Sequence, residues 1–141
     1  MAMPQGSPMS NGSTRLGIAL ILFTSGAWLL GLCIGVPDHL TDPTWPPHAR
    51  FHTLQALLWL VALNVTIAVL ALGPARRGER WALVLLALLF VCGQGSYFVA
   101  SVLVPGGAPP EAFAHTGSAI SATLYAVGLI LLASHVPSTV S

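Results

Sequence analysis

Two short segments of the chain carry the residues best suited to chemistry. Pro46-Pro47-His48-Ala49-Arg50-Phe51-His52 and Pro109-Pro110-Glu111-Ala112-Phe113-Ala114-His115 both read Pro-Pro-[His or Glu]-Ala-x-x-His, with four identities in seven positions. Each places a ligand-type side chain and a histidine at i and i+4, where one helical face stacks them. Proline is tolerated in the first helical turn, whose backbone donors have no intrahelical partner, so each helix can begin at its Pro-Pro. His48, His52, Glu111 and His115 then supply three imidazoles and one carboxylate, a donor set that suits zinc or another transition metal. Neutral imidazole is the form that binds a metal or accepts a proton. Without a metal, His52, Glu111 and His115 are the candidate catalytic residues, a carboxyl and imidazoles able to move protons in a lipid-like substrate. Asp38, His39 and Asp42 adjoin the first segment. Surface base rates favour solvated loop residues over extra ligands there.

The polar stripes continue beyond these segments. His48, His52, Gln55 and Trp59 follow helical spacing, as do Glu111, His115, Ser118 and Tyr125, and Gln94, Tyr97 and Ser101 share a side. Polar groups deep in a membrane are costly and turn toward the bundle interior. Gln55, Trp59, Gln94, Tyr97, Ser118 and Tyr125 are therefore candidate ligand-binding residues, lining a pocket that opens outward and narrows toward Trp59 and Gln94. The plainer role for such residues is hydrogen bonding between helices. That role is assigned to Asn64, on the opposite face from Gln55.

The elements that must hold these residues are membrane spans. Charged residues are 6% of the 141, against about 25% in a typical soluble domain. Lysine is absent and no basic run alternates with aromatics, which excludes nucleic-acid binding. Apolar runs predict spans over about 16–36, 48–72, 81–104 and 111–135, each long enough to cross a bilayer. The first is longer than a signal-peptide core and no Ala-x-Ala site follows it, so it is expected to be retained. Residues 1–15 are expected to be a disordered cytoplasmic tail, 16–135 the transmembrane domain and 136–141 a short tail. The fold expected is an all-α, integral membrane four-helix up-down bundle. Arg15, Arg76, Arg77 and Arg80 fall on one side and only Arg50 on the other, which places both termini in the cytoplasm. Gly26, Gly31, Gly93, Gly95, Gly117 and Gly128 are expected to ease helix packing. Cys33 and Cys92 lie in apolar runs at different depths and read as buried, unbridged hydrophobes.

The stretch Asp38-His39-Leu40-Thr41-Asp42-Pro43-x-Trp45-Pro46-Pro47-His48-Ala49-Arg50-Phe51-His52-x-x-Gln55 resembles the signature of a family of small four-span membrane proteins of bacteria and fungi, catalogued as a domain of unknown function. The resemblance covers under a fifth of the chain. It implies a four-helix integral membrane protein, here in a bacterial plasma membrane, and brings no reaction with it. The architecture is also similar to the emopamil-binding and sigma-2-receptor group, but no acid lies deep in any span. Three functions follow. The first is binding or transforming an apolar, lipid-like small molecule at an outward-facing His/Glu site, with or without a metal such as zinc. The second is a non-catalytic membrane accessory or a subunit of a homo-oligomer. The third is ion or proton transport, for which no mid-membrane acid or base is present to relay a proton.

Overall fold

Long apolar runs leave a backbone one way to satisfy its hydrogen bonds without water, which is to form helices. A computed structural model of the protein describes residues 9–104 and 112–136. It contains α1 (Met9–Thr41), α2 (Pro47–Leu72), a 3₁₀ turn (Ala75–Arg77), α3 (Arg80–Leu103) and α4 (Ala112–Ala133). All four helices are long and apolar enough to cross a bilayer. Pro47 takes the first position of α2, as the Pro-Pro segment predicts. Glu111 and the Pro105–Pro110 turn lie outside the described residues, so the matching start of α4 is described only from Ala112.

α1 departs most from expectation. It begins at Met9, within the stretch expected to be a tail, and continues past Pro37 to Thr41. A proline removes one backbone donor, which a long helix can lose without ending there. The helix stops instead at an Asx turn, where Asp42 Oδ1 accepts from the backbone N–H of Thr44 at 2.8 Å and from its hydroxyl at 2.7 Å. Those two hydrogen bonds hold the Asp42 carboxyl below its ordinary range, and the His39 and Arg50 charges add to the effect. His39 stacks on Trp45 across this turn, with ring centroids 4.5 Å apart.

The helices form a ring in chain order. α1 packs most closely on α4 and next on α2, α3 leans on α4, and α2 and α3 meet least. Ser13 of α1 is hydrogen-bonded to His135, just beyond α4, so the start of α1 and the end of α4 lie together. At the opposite end of the bundle, here the far end, Tyr97 of α3 meets His115 of α4. Successive helices therefore run up and down.

The tight α1/α4 seam has a local cause. A Cβ on Gly17 would sit 2.8 Å from the carbonyl oxygen of Gly128, and one on Gly128 would sit 2.8 Å from that of Gly17. Only glycine permits this backbone approach. Of the glycines expected to ease packing, Gly26, Gly31, Gly95 and Gly117 have nothing within 4 Å of where a Cβ would stand. Their role as packing residues is not what the structure shows.

The buried core sits toward the end where α1 starts and α4 finishes. It joins Ile18 and Ile21 of α1, Ile67 and Leu70 of α2, Leu86 of α3 and Tyr125 of α4. The outer surface is apolar along its length, with Val65, Val84, Val102 and Ile130 each more than half exposed. An apolar exterior around a small core is the arrangement expected where lipid is the solvent.

Candidate functional site

Above the core, toward the far end, the helices separate around a cavity of about 600 Å³. Pockets for small molecules typically run from about 300 to 1,000 Å³. α1 contributes Ser25, Trp28 and Leu32 to the wall, and α3 contributes the segment from Leu89 to Ser96. α2 contributes Thr53, Leu57, Leu60, Asn64 and Ile67, a stripe with helical periodicity. Tyr125 of α4 and Ile67, both in the buried core, form the floor. The lining is apolar apart from neutral side chains and includes no charged residue. Trp59, 72% exposed, stands at the rim.

Gln94 is the notable polar group in this wall. It is 8% exposed. Its Nε2 donates to Ser121 Oγ of α4 at 3.4 Å. Its Oε1 is buried with no hydrogen-bond partner, the one such side-chain atom among the described residues. A buried amide oxygen without a donor carries a desolvation cost of about 1–3 kcal/mol. Asn64 donates Nδ2 to the Leu60 carbonyl at 3.0 Å, within its own helix. It therefore lines the cavity and does not bridge two helices, contrary to the role expected for it.

The remaining candidates are distributed as follows. Trp59, Gln94 and Tyr125 line the cavity. Tyr125 is fully buried, with its ring stacked on Phe90 and its hydroxyl donating to the Leu86 carbonyl at 3.4 Å. Gln55, Tyr97 and Ser118 are not part of the wall. Ser118 is buried and donates to the Ala114 carbonyl one turn back on α4. Tyr97 sets its ring edge-on to Trp28 of α1, at 5.7 Å, and its hydroxyl lies 3.1 Å from His115 Nδ1 of α4. It ties three helices together at the far end.

The histidines do not gather. His48, His52 and Gln55 are exposed along one stripe of α2. At about 100° per residue this stripe lies about 110° round the helix from the cavity-lining stripe. His52 Nδ1 is 3.3 Å from Gln55 Oε1, and His52 Nε2 is 3.0 Å from His48 Nε2. His115 sits on α4, diagonally across the ring, paired with Tyr97. Among the described residues no three His, Cys, Asp or Glu side chains form a group that could hold a metal. The expected set of His48, His52, Glu111 and His115 thus lacks an assembled histidine trio, and Glu111 lies outside the described residues. The physical reason is the ring order, which puts α1 and α3 between the two histidine-bearing helices.

Two further wall residues went unrecognised in the sequence. Trp28 belongs to α1, a helix without a polar stripe to mark it. Cys92 reads as a buried hydrophobe in the sequence, yet both it and Cys33 are free and exposed, and Cys92 faces the cavity. The Thr53 to Asn64 spacing on α2 was the available signal, since it places two polar side chains on one face. No family model matches the chain, and no curated protein or solved structure matches it either.

Proposed function

We propose that the protein is a multi-pass membrane protein that binds a neutral, lipid-like small molecule in the cavity between α1, α2 and α3. One observation carries this reading: a charge-free cavity of about 600 Å³, open on one side, between the helices of a bundle whose exterior is apolar. A charged ligand would have to be desolvated there without a counter-ion, which disfavours it strongly. Entry is lateral, between α2 and α3, the pair of helices that meet least, with Trp59 at the opening. Arg15, Arg76, Arg77 and Arg80 mark the end where α1 starts and α4 finishes. The positive-inside rule puts that end in the cytoplasm, which suits a multi-pass protein of a bacterial plasma membrane.

The test is to purify the full chain in mild detergent and weigh it intact by native mass spectrometry. A co-purifying apolar molecule near one per chain is the expected result. Ala56→Trp, which places a large side chain on the cavity wall, should lose that molecule while the protein stays folded. A wild-type protein that carries nothing and takes up no lipid on reconstitution would overturn the reading.

A further inference from the structure

We propose that His48 and His52 form a two-point clamp for a divalent transition-metal ion of square-planar or octahedral preference, Cu²⁺ or Ni²⁺, at the start of α2. The clamp lies apart from the cavity, and its test is independent of the lipid-binding reading.

The spacing of the two rings is the first support. Helical residues at i and i+4 share a face, and here the two Nε2 atoms lie 3.0 Å apart. Metal–imidazole bonds are about 2.0–2.1 Å long, so one ion bonded to both nitrogens at this spacing subtends an angle of about 90°. That is the cis angle of a square-planar or octahedral ion. A tetrahedral zinc would need the nitrogens about 0.3 Å further apart. Both side chains are exposed, so their torsions are free to aim both lone pairs at one ion.

The second support is the group behind the clamp. A histidine that binds a metal through Nε2 carries its proton on Nδ1, and an acceptor there fixes the ring. Gln55 Oε1 lies 3.3 Å from His52 Nδ1, further along the same stripe. The surroundings also suit a cation. Arg50 is turned about 160° round the helix from His48, and its charge acts on Asp42 beyond the end of α1. Among the described residues no third His, Cys, Asp or Glu joins the pair. The ion therefore keeps open positions, which water reaches at this exposed end of the helix.

The experiment uses the full chain in detergent, purified without a polyhistidine tag, at about pH 8, where imidazole is neutral. Cu²⁺ is the probe, read by electron paramagnetic resonance and by competition with a chelator. Wild type should bind one ion per chain with two nitrogens in its equatorial plane. Gln55→Leu should keep both nitrogens and weaken binding by about tenfold. His48→Ala and His52→Ala should each leave one nitrogen and weaken binding further, with helicity by circular dichroism unchanged. His39→Ala and His115→Ala should alter neither spectrum nor affinity. A one-nitrogen spectrum in wild type, two nitrogens kept in His48→Ala or His52→Ala, or binding lost in His39→Ala or His115→Ala would overturn the clamp. Unchanged affinity in Gln55→Leu would overturn the role of Gln55. Zn²⁺ bound more tightly than Ni²⁺ would overturn the cis geometry.

Discussion

Gly17 and Gly128 show how much one absent methyl group can decide. Each would drive its Cβ into a backbone carbonyl at 2.8 Å, and a backbone cannot rotate away as a side chain can. Overpacking of this kind typically costs about 1–3 kcal/mol. Gly17→Ala and Gly128→Ala should therefore lower the thermal unfolding midpoint in detergent. Gly26→Ala and Gly117→Ala, with open space at the Cβ position, should be neutral or stabilising by up to about 1 kcal/mol, since alanine is the better helix former. If all four variants behaved alike, the seam would not depend on glycine. Gly17 was not singled out in the sequence, because an Arg-Leu-Gly step beside a polar tail looks like any helix start. Which glycine meets a partner depends on how two helices are registered, and neither helix encodes that register alone.

At the scale of elements, the turn between α2 and α3 is held by a compact charge cluster. Glu79 accepts from Arg77 Nε at 2.7 Å and from the Trp81 indole at 2.7 Å. The Arg77 hydrogen bond, then that from Trp81, hold its carboxyl below the ordinary 4.5. A lowered folded-state value means that the stabilisation is present above about pH 4.5 and is lost as pH falls through the lowered value. Because the group is exposed, the contribution is small. Arg77→Ala should raise the Glu79 titration midpoint, read by carbon-detected NMR, and an unmoved midpoint would remove the guanidinium as its cause. The helices themselves were legible because about twenty apolar residues in a row have few alternatives to a span. Their ends were less so. Pro37 looks like a stop signal, yet the actual stop is the Asp42 to Thr44 turn five residues later.

At the scale of the molecule, the packing is uneven by design of the sequence. The buried core and the glycine seam hold the end where α1 starts and α4 finishes, while α2 and α3 separate around the cavity toward the far end. Local opening follows the regions with fewest buried contacts. Amides in the part of α2 from Thr53 to Asn64 should exchange with deuterium before those of α1 near Gly17, measured by mass spectrometry in detergent. The cavity was only half legible, and the reason is general to such chains. When nearly every face of a helix is apolar, periodicity no longer separates lipid-facing from core-facing residues. The histidine stripe of α2 is the visible one and reads as an inner face, whereas the cavity wall lies about a third of a turn away.

The length of α1 has one more consequence. From the Gly17/Gly128 contact to the far end, α1 runs on to Thr41 while α4 reaches back only to Ala112. At the helical rise these distances are about 36 Å and about 24 Å. Fixed to its partner at the seam, α1 cannot shed the difference by sliding. Its last two turns or so extend past the first described residue of α4, beside the start of α2 at Pro47, and carry His39 with its stacked Trp45. For a soluble protease, antibody or neighbouring protein approaching from that side, the α1/α2 corner with its stacked His39 and Trp45 is the landmark.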